Sequence, residues 1–157
     1  MADEKKPDNF YQTVNFHFRV EFSTIKGESN DVKFQSVTGL DSTLDTETVK
    51  EGGENRFEHV ILTRRKYGPL ILKRGLLKPG DSKITEWLKK AFDDEVVDVI
   101  PTIDIHLLGE DHKPLMKWTV NNVWPRSWKI GELNAERGEV LIETLELNYN
   151  RLLFQKP

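Results

Sequence analysis

The sequence predicts a mainly β protein, an antiparallel β-barrel with one flanking α-helix and a long extended hairpin. Apolar and polar residues alternate in several segments, as they do along half-buried strands, and helical periodicity is convincing in one place only. A third observation is a long polar arm with a glycine-rich tip, whose few apolar side chains cannot bury it alone. About seven strands and one helix fit a closed or nearly closed barrel.

We expect a single domain over residues 10–157, preceded by a flexible polar arm over residues 1–9. The 157 residues suit one core, and the net charge of −3 provides no basic stripe for a general nucleic-acid clamp. The absence of cysteine excludes disulfides, thiol nucleophiles and cysteine-ligated metals. The polar N-terminus and the lack of a long apolar run predict neither a secretory signal nor a membrane-spanning helix.

Two strands are predicted before the hairpin. Residues 16–22 alternate cleanly, and their aromatic and aliphatic side chains form an inner face. Residues 32–37 predict a second strand that ends at Thr38 and Gly39.

The hairpin itself is predicted from an arm at residues 40–50, a turn at residues 51–55 and a returning strand at residues 57–62. The arm alternates, with one face formed by Thr43, Asp45 and Glu47 and the other by Leu44, Thr46 and Thr48. Neither face carries enough hydrocarbon to pack alone. The arm therefore needs a partner, on this chain or on a neighbour.

A basic turn at residues 64–69 and a short strand at residues 70–73 are expected before the helix. The helix is indicated by apolar residues at i, i+3, i+4 and i+7, namely Ile84, Trp87, Leu88 and Ala91. Asp81 or Ser82 can cap its N-terminus, and Asp93 follows its last turn. Its single apolar stripe indicates that it lies against a sheet.

Three further strands are expected after the helix. Residues 101–107 and 116–120 alternate around a turn at residues 109–113, and the second of these extends toward Trp124. In the last strand, residues 140–149, Val140 and Ile142 face away from the later leucines. Either a bulge near Glu143 and Thr144 or burial of both faces would explain this change of phase.

We predict no catalytic residue, no cofactor and no metal. The chain has no nucleophile-elbow motif and no phosphate-binding glycine loop, and its four histidines lack the spacing of a metal site. Asp45 and Glu47 share a strand face and are the acid pair that a small hydrolase would need. Their threonine neighbours indicate a polar wall facing water instead, without the burial that shifts a carboxyl pKa.

The tryptophans allow a second class of function. Trp87 and Trp118 lie on apolar faces and are expected in the core. Trp124 and Trp128 flank Pro125 and Arg126 and could stack bases or sugars, the former as in a single-stranded nucleic-acid-binding barrel. A packed corner between strands is the favoured interpretation because the surrounding charge is not basic.

Five short motifs in register resemble the contractile phage tail-tube family, which is related to the haemolysin-coregulated protein. Residues 34–40 (FQSVTGL) are similar to its "F-x-x-V-S/T-G-L" opening, and residues 51–55 (EGGEN) to its "E-G-G-x-N" hairpin tip. Residues 66–75 (KYGPLILKRG) resemble "K-Y-x-x-L-x-L-K-R-G", and Trp87 matches the helix tryptophan. Residues 142–147 (IETLEL) resemble the closing "I-E-x-L-E-L" strand.

The resemblance spans residues 16–153, and one departure is residues 61–65, which lack the proline that the family commonly places after the leucine. It implies a structural, non-enzymatic protein that forms hexameric rings stacked into the inner tube of a contractile injection system or phage-like tail. Implied partners are further copies of the chain, a sheath protein, a baseplate hub or spike, a tube terminator or cap, and cargo (effectors or DNA). A phage virion tail tube for DNA is the close alternative.

The implied tube is assembled in the bacterial cytoplasm within a particle that is then released. On this interpretation, glycines and hairpin residues meet neighbouring copies. The subunit-interface candidates are Gly39, Leu40, Leu44, Thr46, Thr48, Glu51, Gly52, Gly53, Asn55, Phe57, Lys73 and Arg74. The lumen-facing candidates are Thr43, Asp45 and Glu47.

Overall fold

The computed structural model describes residues 17–25, 31–50, 52–53 and 58–157. Within them lie nine strands, one α-helix and a 3-10 turn at Pro79–Asp81. The strands are β1 (Phe18–Phe22), β2 (Ser36–Thr38), β3 (Ser42–Val49), β4 (His59–Tyr67), β5 (Leu70–Gly75), β6 (Ile100–Leu108), β7 (Pro114–Ile130), β8 (Ile142–Asn148) and β9 (Arg151–Gln155), and the helix is α1 (Lys83–Phe92). The expected arm at residues 1–9 lies outside the described residues.

Seven of these strands form one antiparallel sheet in the order β1-β6-β7-β8-β5-β2, with β9 also paired to β7. The 17-residue strand β7 runs through both halves: its first part pairs with β6 and β9, and its last part pairs with β8. The Val20 amide donates to the Val32 carbonyl at 3.2 Å, which brings the segment before β2 to the edge of β1. The predicted class, mainly β and antiparallel with one helix, is confirmed.

The core lies between the two halves of this sheet and under α1. Strand residues that alternate inward meet the buried stripe of the helix, and the members that are most completely buried are Val20, Leu70, Leu72, Ile84, Leu88, Ile103, Val120, Val123, Leu145 and Leu147. Ser82 is the N-cap of α1, because its hydroxyl accepts from the Thr85 amide at 3.2 Å. The Trp87 indole N–H donates to the Asp98 carbonyl at 2.8 Å and fixes the chain beyond the helix.

The change of phase in the last strand does not come from a bulge in its pairing with β5. That register is continuous from Gly75 opposite Ile142 to Leu70 opposite Leu147. Glu143 is fully buried and occupies the inward position two residues before Leu145. The inward alternation is therefore unbroken, and it is obscured in the sequence because a carboxylate occupies a core site.

The structure corrects two predicted elements and adds one strand. The basic turn expected at residues 64–69 is wrong, because β4 continues to Tyr67 and only two residues separate it from β5. The second strand pairs over Ser36–Thr38 alone, not over residues 32–37. Strand β9 was not predicted; it continues the line of β8 along the same edge of β7.

Candidate assembly surface

The hairpin β3–β4 forms a two-stranded sheet separate from the seven-stranded one. Its strands pair from Ser42 opposite Tyr67 to Val49 opposite His59. The register shifts between Leu44 and Thr46, so that two residues of β4 oppose Asp45 alone, as in a β-bulge. An isolated two-stranded hairpin is marginally stable in water, and a further surface is needed to cover it.

One face of the hairpin carries three exposed aliphatic side chains beside Thr46, Thr48 and Arg65. Directly paired residues share a face, so Leu44, Thr46 and Thr48 lie with their β4 partners on one side. We call Leu44, Val60 and Leu62 the apolar stripe. Their exposed fractions are 52%, 63% and 66%, which are high values for large aliphatic residues. The sequence predicted that the arm at residues 40–50 is under-packed. In the structure β4 is under-packed as well, and it supplies two of the three residues of the stripe.

The opposite face, which we call the charged face, begins with Thr43 paired to Lys66 and continues through Asp45 and Glu47. The Lys66 ammonium lies 2.5 Å from the Asp45 carboxylate, and both side chains reach solvent. The Thr63 hydroxyl donates to the Asp45 backbone carbonyl at 3.2 Å across the bulge. The polar wall expected at Thr43, Asp45 and Glu47 therefore also contains a cation from β4, which the sequence pattern of β3 alone did not reveal.

Two glycines at the hairpin tip are described, and both are exposed. Gly53 has φ of +106°, a conformation that favours glycine, and a side chain there would meet open space, as it would at Gly52. The interface candidates Glu51, Asn55 and Phe57 lie outside the described residues.

The hairpin is held at its root by Gly39 and two tyrosines. Gly39 has φ of +88°, and a Cβ there would lie 2.0 Å from the Pro69 carbonyl oxygen. The Tyr149 hydroxyl donates to the Gly39 carbonyl at 3.3 Å, and the rings of Tyr67 and Tyr149 are 5.5 Å apart. Burial, followed by the charges of Asp41 and Tyr67, raises the pKa of Tyr149 to about 12. Gly39 thus has a role within the chain.

Arg74 is not available as a surface residue. It is 2% exposed, and its guanidinium pairs with the buried Glu143 carboxylate and, at 3.3 Å, with Asp31. It also donates to the hydroxyls of Ser82 and Thr85, each at 2.9 Å. Its assignment as an interface candidate is therefore corrected, because alternation along β5 turns Arg74 inward. Lys73, the preceding residue, is exposed and stays a candidate.

Trp128, one of the two tryptophans of the corner, joins the same buried network. The Trp128 indole N–H donates to the second Glu143 carboxylate oxygen at 2.8 Å, and the ring packs against the core. Trp87 is 7% exposed, in agreement with the expected core position, and Trp118 packs against the core while remaining partly exposed. The packed-corner interpretation therefore accounts for Trp128, which already uses its polar group within the chain.

No cluster of three His, Asp or Glu side chains that could hold a metal ion is found among the described residues. Asp45, half of the considered acid pair, is paired to Lys66 on an exposed hairpin. The helix within the described ranges is also too short and too polar to cross a membrane. Among the described residues, the exposed hairpin β3–β4 is therefore the candidate surface for assembly.

Residues 14–153 match the model of a family described as T4-like virus tail tube protein gp19. A chain in the anti-feeding prophage baseplate, 6-fold symmetrised, is 30% identical with a TM-score of 0.81, and the match covers 93% of this chain and 97% of that chain. A chain in the sheath–tube complex of the PVC extracellular contractile injection system in its extended state is 23% identical, with a TM-score of 0.77 and 95% of both chains covered.

An Hcp protein shares the fold at a TM-score of 0.54 and 11% identity, over 88% of this chain and 90% of that chain. Comparison with curated protein sequences gives no match. The family match covers most of the chain, and the resemblance carried by the five sequence motifs is confirmed. This chain therefore belongs to the T4-like tail tube protein family.

Proposed function

We propose that this chain forms hexameric rings that stack into the inner tube of a contractile injection system. The observation that carries the proposal is the apolar stripe, whose large aliphatic side chains are exposed on a hairpin that pairs with no other strand among the described residues. Closed rings of identical chains use heterologous contacts, in which one surface meets a different surface of the next copy. A projecting hairpin supplies such a surface, and burying its apolar side chains against a neighbour would stabilise the ring.

Related structures agree with this role and suggest its partners. The similar chains belong to a baseplate and, at 23–24% identity, to a sheath–tube complex, a tube-terminating cap and a sheath/tube terminator. We infer that this chain likewise contacts further copies of itself, a sheath protein, a baseplate hub or spike and a tube terminator or cap. Assembly in the bacterial cytoplasm would precede release of the particle.

In this mechanism the tube is a passive conduit that contraction of the sheath drives through a target envelope. The charged face of the hairpin, with Thr43, Asp45 and Glu47, is proposed to line the lumen. The Asp45–Lys66 pair makes this surface polar without a strong field of one sign, so that protein effectors or DNA would slide along it without tight binding.

The test is microscopy and mass measurement of the purified chain with two hairpin variants. Negative-stain images are expected to show rings or tubes, and Leu62→Glu is expected to lower the ring population at least tenfold by placing a charge in the apolar stripe. Circular dichroism should stay unchanged, because Leu62 is 66% exposed within the protomer.

Ile61→Glu is the matched control, since Ile61 is the neighbouring residue on the charged face and is 51% exposed. Rings should persist in this variant. A strictly monomeric wild-type chain at high concentration contradicts the tube, whereas equal loss in both variants would mean that the assignment of the two faces is wrong.

A second function, binding of single-stranded nucleic acid, was suggested by the tryptophan corner. Trp128 donates its indole N–H to Glu143 and packs against the core, which leaves it poorly placed to stack a base. Salt-dependent binding of an oligonucleotide at low ionic strength would favour that function, and its absence would exclude it.

A further inference from the structure

An apolar groove lies where β1, β6 and β7 face β2, and the tube function proposed above does not by itself assign a role to it. Its volume is about 380 Å³. We call it the seam groove. One wall is formed by Phe18, Ile105, Leu107 and Trp118 from β1, β6 and β7, and the other by Val37 of β2 and Leu40. Its size lies at the low end for a ligand pocket, and its walls are mostly apolar.

The apolar surface continues outside the groove. The ring of Phe154, on β9, lies 5.4 Å from the ring of Trp118 and is 66% exposed. A groove and an adjoining exposed aromatic side chain form a continuous apolar patch, and such patches mark interaction sites. Aromatic side chains are also enriched at the centres of protein interfaces.

The hairpin of the same chain does not cover this patch, although its root lies at the rim. Leu40 lines the groove, and β3 begins at Ser42, two residues later. Gly39 packs against the Pro69 carbonyl and is held by Tyr149, which fixes the direction in which the hairpin leaves the sheet. In that direction the apolar stripe remains exposed. Among the residues that the structure describes, the apolar stripe and the groove are therefore two separate exposed apolar surfaces that do not meet each other.

We propose that the seam groove is the seat for the apolar stripe of a second copy of this chain. Leu44, Val60 and Leu62 of one copy enter the groove between β1 and β2 of the next and cover Trp118 and Phe154. This inference rests on the proposed tube function and assigns the receiving surface for the hairpin. The contact is heterologous, so each copy gives one hairpin and receives another, as a ring or stack of identical chains requires.

The test uses the absence of native cysteine, which lets two single-cysteine chains report on one contact. Ser36→Cys places a thiol in the groove wall, and Leu62→Cys places one on the stripe. The two variants are mixed, assembled and oxidised, with one of them carrying a mass tag. A disulfide forms only when the two Cα atoms come within about 7 Å. A tagged–untagged dimer is expected on a non-reducing gel, at a yield at least tenfold above that of the Ser36→Cys and Ile61→Cys mixture.

The outcomes separate this inference from the tube itself. If rings are seen but Leu62→Cys and Ile61→Cys cross-link equally, or neither cross-links, the docking of the apolar stripe in the seam groove is contradicted. The tube function is unaffected by that result. An internal disulfide in a chain carrying both substitutions, with no dimer in the mixture, shows that the hairpin covers its own groove and contradicts that docking as well. If the wild-type chain forms no rings, both proposals fail together.

Discussion

The guanidinium of Arg74 joins three parts of the fold at one buried point. Glu143 reaches it from β8, Asp31 from the segment before β2, and Ser82 from the N-cap of α1. The Asp31 carboxylate also accepts from the Lys83 amide at 3.1 Å, so it helps to cap the helix. The motifs at residues 66–75 and 142–147 thus meet in space at Arg74 and Glu143, which assigns a structural role to both charged positions.

Replacing Arg74 with methionine is expected to lower the free energy of unfolding by about 3–5 kcal/mol, because two buried carboxylates lose their cation. The measurement is urea unfolding of the protomer below the concentration at which it assembles. Lys73→Met is the control and should change the free energy by less than about 0.5 kcal/mol, since Lys73 is exposed. A loss below about 1 kcal/mol for Arg74→Met would show that the network contributes little.

Tyr149 gives the protomer a pH dependence at alkaline pH. Its pKa is raised from 10.0 to about 12, so the folded chain retains the phenol proton that the unfolded chain releases. The corresponding stability is complete below about pH 10 and is lost as the pH rises through about 12. Between pH 9 and pH 12 the unfolding free energy of the wild type should fall by about 1 kcal/mol relative to Tyr149→Phe, because solvent screens this half-buried group. Parallel profiles for the two proteins would refute this.

Among the elements, the hairpin β3–β4 is fixed to the rest of the chain by contacts at its root. Gly39 allows the chain to leave β2 with positive φ beneath the Pro69 carbonyl, and Tyr67 and Tyr149 pack where β4 ends. The strands beyond this point pair only with each other among the described residues. The hairpin therefore has a fixed origin and an uncovered length, which suits an element that contacts another molecule.

Gly39→Ala should destabilise the protomer by at least about 2 kcal/mol, because alanine is strained at φ of +88° and its Cβ would overlap the Pro69 oxygen. Thermal unfolding followed by circular dichroism measures this effect. Gly52→Ala is the matched control, since a Cβ there meets no atom within 4 Å, and its melting temperature should stay near that of the wild type. Equal melting temperatures for the two variants would contradict the role given to Gly39.

Several elements could be predicted from the sequence because a regular pattern specifies them. The helix follows from the spacing of Ile84, Trp87 and Leu88, and β6 follows from its alternation. The length of β4 could not be predicted, because its exposed basic residues resemble a turn until the pairing with β3 is known. Glu143 was missed as a core residue for a similar reason, since its partner Arg74 is 69 residues away in the sequence.

At the scale of the whole molecule, the seven-stranded sheet and α1 form a core to which the apolar stripe adds nothing. Every fully buried large side chain among the described residues lies outside the hairpin. The candidate surface could be located from the composition of β3. Which residues of β4 share a face with those of β3 could not be predicted, because the register of the two strands depends on the bulge opposite Asp45.

Folding and assembly should therefore be separable by removing the hairpin. A chain in which residues 42–67 are replaced by a two-glycine link is expected to fold, because Gly39 and Pro69 already lie in contact. Circular dichroism and size-exclusion chromatography should show a folded monomer with a melting temperature close to that of the wild type and no rings at any concentration. An unfolded product would show that the hairpin is needed for the core.

The exposure of the apolar stripe also has a consequence for the kinetics of tube growth. If the apolar stripe docks on a second copy as proposed, growth should begin only above a critical concentration and after a lag in which the first ring forms. A preformed hexagonal template would remove that lag, and the length of the product would then be set by where growth is seeded and stopped. If the exposed Leu62, 66% accessible in the protomer, forms the proposed contact between copies, nucleation is the step at which polymer length would be controlled.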